Sequence, residues 1–374
     1  MKKFDISLAD SQAVEVSPIK PEAFDLDAYA SYAAELNQAC EKFWEADSGV
    51  LVYRRMRVAE CFSFGCRDMK RSLELQLGSL EKSKLFKADV PNFLEPWYGI
   101  GTLASAFGSE YNWPDGNAPV IKPRFSSLDE VLKYQPKPVA ETNIGKHTLN
   151  MIGYFLEKTK GKIPVSFTDS QSPLNSIANL LPLDQFFIEV LMNPDNVREL
   201  FDILAGLSIE FNKKQAELIG DALVLPGHGF ASSSKWKGLG LSDDNAIMIS
   251  PDDYALLAVP SVKKVCDPFG GAVFHSCGDW SAWIDAVLNI DGIKMADAAF
   301  SPQTDPGATD NLEAFHSFAG TGVVLNARIV GDLKTIEEQV KRLWVPGMKL
   351  VVVTYCETPA EQELAYNRIH EICN

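Results

Sequence analysis

The sequence predicts an α/β protein built on a (β/α)8 barrel with an N-terminal helical extension. From residue 141 onward, short apolar runs typical of buried strands alternate with longer segments of helical periodicity. This order indicates βα units and a parallel sheet. Seven such runs and one earlier candidate supply the eight strands that a barrel needs. No glycine-rich dinucleotide fingerprint follows a predicted strand, which disfavours a doubly wound sheet.

Residues 1–90 are assigned to the extension and residues 91–374 to the barrel. Within the extension, helices are predicted at 27–46 and 68–83 because apolar residues recur there near helical spacing. The first strand of the barrel is predicted at 93–98, in a region rich in glycine, proline and aromatic residues.

The other predicted strands are 163–168, 222–226, 245–249, 271–275, 293–297, 322–327 and 349–355. The helices between them are predicted at 141–159, after Asn193-Pro194, and at 251–266, 280–289, 333–344 and 360–372. Three helix starts place a capping residue before a proline: Asn193-Pro194, Ser250-Pro251 and Thr358-Pro359. The long helix after Pro194 has an apolar stripe that includes Leu204, so we expect Leu204 to be buried.

Composition limits the possible partners and compartments. The chain has 374 residues, and its 35 basic and 50 acidic residues give a net charge of −15. This charge argues against nucleic acid and anionic membranes as partners. No apolar run is long enough to predict a membrane span. Seven cysteines without framework spacing favour a reducing cytoplasm.

His275, Cys277 and Cys356 form the most informative pattern in the chain. His275 and Cys277 end one predicted buried strand, and Cys356 ends another. Strand ends of a barrel converge on the face where active sites lie. One imidazole and two thiolates are a zinc-preferring ligand set, and three protein ligands leave an open, catalytic position. The alternative is that these cysteines are ordinary core residues.

Three other polar residues follow predicted strands and are candidate site residues. Asp169 and Gln171 follow strand 163–168, and His228 lies in a tight turn after strand 222–226. Asp169 and His228 are candidate catalytic groups, and Gln171 is a candidate binding residue for substrate or cofactor. The alternative for His228 is an ordinary surface loop.

Several segments resemble the uroporphyrinogen decarboxylase superfamily. Phe274-His275-Ser276-Cys277-Gly278-Asp279 is similar to its strand motif, and Ile249-Ser250-Pro251 is similar to its Ser-Pro helix start. The arginine motif that decarboxylases use near the N-terminus is not matched; Arg54-Arg55-Met56-Arg57 is the nearest basic cluster. In contrast, His-x-Cys with a distant Cys resembles the zinc motif of the cobamide-dependent methyltransferase branch. Both branches imply a (β/α)8 barrel.

The resemblance implies a function and cofactors. It implies zinc held by His275, Cys277 and Cys356, with Asp297 as a candidate fourth ligand by analogy with related methionine synthases; the alternative for Asp297 is a solvated or hydrogen-bonded strand-end acid. It also implies a corrinoid as the methyl carrier, usually on a separate protein. Trp97 and Tyr98 are candidate residues lining the corrinoid, and the alternative is that they are core residues. The expected activity is methyl transfer between this corrinoid and a thiol or small methylated substrate.

Two other functions stay open. One is decarboxylation of an acidic substrate, which needs cationic groups at the barrel mouth rather than a metal. The other is a non-catalytic barrel that binds a corrinoid or a partner protein. A small-molecule substrate, a corrinoid protein and a second copy of the chain in a homodimer are the expected partners.

Overall fold

A closed ring of parallel strands forms the centre of the protein. The computed structural model describes residues 13–374, so residues 1–12 of the predicted extension lie outside the described part. Six strands form one parallel sheet in the order β1-β6-β5-β4-β3-β2. They are β1 (Gly49–Arg54), β2 (Leu239–Ser242), β3 (Ala272–His275), β4 (Ile293–Ala299), β5 (Val324–Ile329) and β6 (Lys349–Thr354).

Two further extended segments close the ring between β1 and β2. A parallel bridge joins Leu94 to Val165, and another joins Gln171 to Ser242 at the end of β2. On the other side, Asp89 N donates to Val52 O of β1 at 2.8 Å. With the six strands, the segments around Leu94 and Val165 supply the eight positions of the predicted (β/α)8 barrel, which is confirmed; Leu223 adds one more parallel bridge, to Val165.

Helices surround the strands. Within residues 13–374 the α-helices are α1 (Leu26–Ala39), α2 (Glu41–Glu45), α3 (Met69–Ser83), α4 (Thr102–Ser105), α5 (Leu128–Lys133), α6 (Asn143–Thr159), α7 (Pro173–Ile177), α8 (Leu183–Met192), α9 (Pro194–Ile219), α10 (Pro251–Asp253), α11 (Val259–Cys266), α12 (Ile284–Leu288), α13 (Leu333–Leu343) and α14 (Pro359–Cys373). Leu204 of α9 has no exposed surface, as its place in the apolar stripe predicted. No helix in this range combines the length and apolar character required to cross a membrane.

Two of the three predicted caps are confirmed. The Ser250 side chain accepts from Asp253 N, and Thr358 forms a capping box with Glu361 at the start of α14. Both satisfy backbone N–H groups that the first helical turn leaves without partners. Asn193 differs, because its side chain makes no cap bond to α9 and instead donates to Glu189 Oε2.

The strand predictions were wrong at two places. The run 245–249 was predicted as a strand, but Asp244–Met248 is a 3-10 helix, and the strand β2 precedes it. β2 reads Leu-Gly-Leu-Ser, a short run whose glycine weakens the apolar signal. The predictions also contained no strand between residues 46 and 68, whereas β1 lies there and pairs with β6. The predicted strand 222–226 contributes one parallel bridge, Leu223 to Val165.

Alternation along each strand separates two layers of core. Val351 and Val353 of β6 pack inside the barrel with Leu51 and Tyr53 of β1. Val352, between them, belongs to the cluster that joins the strands to the helices. Side chains at successive strand positions point to opposite faces. Whether a residue lies an even or odd number of positions from Val351 therefore decides whether its side chain reaches the barrel interior.

Candidate metal centre and active-site cavity

A cavity of about 270 Å³ opens at the carboxyl ends of the strands. Its lining includes Asp169, Gln171, Ser242, His275, Asp297 and Arg328. The last three lie on β3, β4 and β5, at interior-facing positions of neighbouring strands. This location is where active sites of α/β barrels are built.

Asp244, His275 and Cys277 form a cluster of metal-ligand type in this cavity. One ligand atom from each lies within 4.8 Å of the others. His275 Nε2 is 3.7 Å from Cys277 Sγ and 3.4 Å from Asp244 Oδ1. Tetrahedral zinc, with bonds of about 2.3 Å to sulfur and 2.0–2.1 Å to nitrogen and oxygen, separates such ligands by about 3.6 and 3.4 Å. The donor set and its spacing therefore fit zinc.

Asp297 lies behind His275, on the side away from the cluster. Its Oδ2 is 2.7 Å from His275 Nδ1 and accepts from Arg328 Nε at 2.9 Å, while its Oδ1 accepts from Asn326 Nδ2 at 2.6 Å. Metal-bound histidines are commonly oriented by such a carboxylate on their other ring nitrogen. The structure thus places Asp297, predicted as a fourth ligand, behind the imidazole at Nδ1, and places Asp244 beside His275 and Cys277.

The cluster is electrostatically coupled. Burial alone would lower the pKa of His275, but hydrogen bonds to Asp244 and Asp297 raise it well above its ordinary value. Burial would raise the pKa of Asp297, and Arg328 and His275 instead lower it to about 2. Burial raises the pKa of Cys277, and His275 acts against this rise. Zinc replaces such protons, because it binds neutral imidazole and thiolate.

The backbone around Cys277 is fixed from two sides. Cys277 N donates to Asp244 Oδ1 at 2.8 Å, and Gly278 N donates to Asp305 Oδ2 at 2.6 Å. Gly278 has φ of +79°, a conformation that favours glycine. This turn directs the exposed Cys277 thiol toward the cluster.

Asp243 anchors the other ligand-bearing loop from behind. It accepts hydrogen bonds from the hydroxyls of Ser172 and Tyr254 at 2.6 and 2.9 Å. Burial raises its pKa to about 7, although both hydroxyls oppose the rise. Asp243 is thus enclosed in the core, while Asp244 faces the cavity.

Cys356 is not part of this group. Tyr355 belongs to the cluster inside the barrel, whereas Cys356 belongs to the cluster between strands and helices. Cys356 O accepts from Arg54 Nε at 2.9 Å. Burial raises the pKa of its thiol to about 11, with Arg54 opposing the rise. Tyr355 points into the barrel, so the next residue, Cys356, points to the helix side, away from His275.

His228 and Asp169, both predicted as catalytic groups, line the same cavity. His228 Nδ1 is 2.7 Å from Glu95 Oε2, and its Nε2 is 3.9 Å from Asp169 Oδ2. Asp169 accepts from Ser242 Oγ at 2.9 Å and from Trp97 Nε1 at 3.4 Å. Glu95 was missed by the sequence analysis; its signal was a lone acid inside the apolar run 93–98.

Three arginines also line the cavity: Arg55, Arg57 and Arg328. Arg55 pairs with Glu95 at 3.7 Å. Arg328 Nη2 is buried and has no hydrogen-bond partner among residues 13–374. The basic cluster 54–57 stands out in the sequence. It lies at the cavity because it follows β1, a strand that the sequence did not predict.

The predicted cofactor-binding residues separate in the structure. Gln171 lines the cavity and accepts a hydrogen bond from Asn175 Nδ2. Trp97 is buried and reaches the cavity only through its bond to Asp169. Tyr98 stacks on His147 with ring centroids 3.7 Å apart, in an aromatic group away from the cavity lining.

The chain is similar to a known protein family over most of its length. The family model described as uroporphyrinogen decarboxylase (URO-D) matches residues 50–349, well over half of the chain. The chain belongs to the uroporphyrinogen decarboxylase family. This membership confirms the superfamily resemblance found in the sequence, and the match begins at β1 of this family member. No curated protein sequence matches the chain.

Solved structures show what this uroporphyrinogen decarboxylase family member resembles in fold. A methyltransferase from Methanosarcina mazei superposes with a TM-score of 0.63 at 16% identity, covering 93% of this chain and 98% of that one. A 3-keto-L-gulonate-6-phosphate decarboxylase from Vibrio cholerae O1 biovar El Tor str. N16961 gives a TM-score of 0.30 at 12% identity, covering 60% and 80%. The first likeness supports the barrel fold, and the second is too weak to carry an argument.

Proposed function

We propose that the protein is a zinc-dependent methyltransferase that moves a methyl group between a corrinoid and a thiol or small methylated substrate. The observation that carries this proposal is the cluster of Asp244, His275 and Cys277, whose spacing fits tetrahedral zinc. The likeness in fold to a protein named as a methyltransferase supports it. The free state of all seven cysteines agrees with a cytoplasmic location.

Each residue has a defined part in this proposal. Asp244, His275 and Cys277 would hold the metal, and Asp297 would fix the orientation of the imidazole. Zinc supplies a Lewis acid that binds a thiol and favours its thiolate, the methyl acceptor. The cavity suits a small substrate, whereas a corrinoid macrocycle is far larger than 270 Å³. We therefore expect the corrinoid to approach from outside the barrel mouth, on the separate corrinoid protein that the sequence resemblance implies.

The third protein ligand distinguishes two versions of the site. The sequence resemblance names Cys356 beside His275 and Cys277, and the geometry favours Asp244 in its place. Cys356→Ser and Asp244→Asn separate the two, because only the variant that removes a ligand loses affinity for zinc.

Metal content and methyl transfer test the proposal together. Protein purified without chelators should hold one zinc per chain, and Cys277→Ser should hold none while it keeps its fold, since a large barrel core does not depend on a metal. Methyl transfer from free methylcob(III)alamin to a small thiol should follow zinc content across the variants. A wild-type protein that holds no zinc and takes none up would contradict the proposal.

Decarboxylation of an acidic substrate is the second candidate. Arg55, Arg57 and Arg328 at the cavity favour it, because guanidinium groups bind carboxylates. Release of CO2 from a porphyrinogen or another polycarboxylate by metal-free protein would support this function over methyl transfer. Neither methyl transfer nor CO2 release, with retained binding of a corrinoid, would point to the non-catalytic barrel.

A further inference from the structure

The cavity holds a second imidazole besides that of the metal cluster. His228 Nδ1 is 2.7 Å from Glu95 Oε2. Burial would raise the pKa of Glu95, but Arg55 and His228 lower it to about 2, so the carboxylate is ionised at neutral pH. An ionised carboxylate only accepts hydrogen bonds. In the neutral ring, the hydrogen therefore lies on Nδ1 and the lone pair on Nε2.

Among residues 13–374, Nε2 of His228 has no hydrogen-bond partner of its own. The nearest charged atom is Asp169 Oδ2 at 3.9 Å, beyond hydrogen-bonding distance. Asp169 is already engaged by Ser242 and Trp97. His228 also lines the cavity, so its lone pair is open to a ligand there.

The other titratable groups of the cavity lining are committed elsewhere. Asp244, His275 and Cys277 form the metal cluster. Asp297 is saturated by hydrogen bonds from three residues. Among the described residues that line the cavity, His228 is therefore the group best placed to accept a proton.

The position of His228 is built into the fold. Gln76 binds both backbone groups of Glu95, with Nε2 donating to Glu95 O at 3.0 Å and Oε1 accepting from Glu95 N at 2.7 Å. On the histidine side, Gly227 N donates to Ser232 Oγ at 3.0 Å, and the ring packs on Phe62 with centroids 5.4 Å apart. These contacts hold Glu95 and His228 in place, and so preserve the single hydrogen bond between them that sets the His228 tautomer.

We infer that His228 is the general base that removes the thiol proton of the substrate, and that Glu95 is the positioning residue that fixes its tautomer. The inference rests on the proposed function and names the proton acceptor of the same site. The S–H bond breaks, its electron pair stays on sulfur, and the proton moves to Nε2. Arg55 and Arg57 act on this pair from one side, and Asp169 from the other.

The first test measures methyl transfer from methylcob(III)alamin to a small thiol across pH. His228→Gln should lower kcat about 10²- to 10⁴-fold, the usual contribution of a general base, with zinc content unchanged. Added imidazole should rescue His228→Ala. Glu95→Gln should show an intermediate loss of kcat, because an amide at this position no longer fixes the hydrogen of the neutral ring on Nδ1. Activity of His228→Gln within about threefold of wild type would overturn the inference.

Glu60→Gln is the matched control. Glu60 is also a buried carboxylate, paired with Arg71 at 3.0 Å, and does not line the cavity. It should leave kcat unchanged; a loss equal to that of Glu95→Gln would show a general effect of lost charge and overturn the role of Glu95. If wild type transfers methyl groups and His228→Gln does so equally well, only this inference fails. If wild type holds no zinc and transfers nothing, the proposed function itself fails.

A second readout needs no activity. In metal-free protein labelled with [15N]histidine, the five histidines give ring nitrogen signals that report tautomers, and the signal lost in His228→Gln assigns His228. The neutral ring should carry its hydrogen on Nδ1 in wild type, and Glu95→Ala should reduce the population of that form. A ring protonated on Nε2 in wild type would contradict the inference.

Discussion

Asp297→Asn tests whether the carboxylate behind His275 tunes metal binding. The substitution keeps the shape of the side chain but removes the charge that faces His275 Nδ1 at 2.7 Å. A hydrogen bond to a charged group contributes about 1.5–3 kcal/mol, which corresponds to about a 10- to 100-fold loss of zinc affinity, the range typical of such partners. Arg328 also loses its partner, and an uncompensated buried charge costs about 3–5 kcal/mol of unfolding free energy.

The assay must separate these two effects. Zinc affinity is measured at neutral pH by competition with a chromogenic chelator, and stability by urea unfolding of the metal-free protein. Leu204→Ala is the control: its side chain is fully buried in α9, and its removal should cost about 2–5 kcal/mol without changing zinc affinity. If Asp297→Asn binds zinc as tightly as wild type, the carboxylate does not orient the ligand and our reasoning is refuted.

Asp244→Asn should lower zinc affinity, measured by the same chelator competition, while Cys356→Ser should leave it unchanged. The reverse result would mean that the segment after β6 turns the Cys356 thiol into the barrel when metal binds. The Glu95 pKa is depressed to about 2, so the ionised carboxylate stabilises the fold above the unfolded pKa of about 4.3, and this contribution is lost as pH falls toward 2. The difference in unfolding free energy between wild type and Glu95→Gln, measured in urea, should therefore close between pH 5 and 2. A difference independent of pH would argue against the ion pair. Thr358→Ala should cost about 0.5–2 kcal/mol by loss of the capping box, and an unchanged unfolding midpoint would contradict that.

Local chemistry allowed much of the fold to be predicted from sequence. The caps at Ser250 and Thr358 involve residues adjacent in the chain, so their signal is complete within a few letters. β6 was predicted nearly to its bounds because it is a continuous apolar run. β1 was missed because its run is followed by Arg54 and Arg55, whose partners lie far away in sequence.

The candidate site was predictable in its residue types but not in its grouping. His275 and Cys277 were predicted as a pair because their types and spacing are typical of a metal site, and the structure places them together. Asp244 was not grouped with them because the strand before it was placed about six residues too late, which reversed its position relative to the barrel mouth. Cys356 shows the limit of a strand-end argument, since its neighbour Tyr355 occupies the interior-facing position.

The cavity lining contains three arginines and three aspartates, inside a chain whose net charge is −15. An anionic ligand is therefore repelled at long range and meets favourable charge only at the arginines inside the mouth. Salt screens the long-range repulsion over about 8–10 Å, so added salt should speed the arrival of an anion. Added salt should also weaken the contacts between the bound anion and the arginines inside the cavity, and so speed its dissociation. Equilibrium affinity then changes little with ionic strength, while the exchange of ligand between cavity and solvent becomes faster.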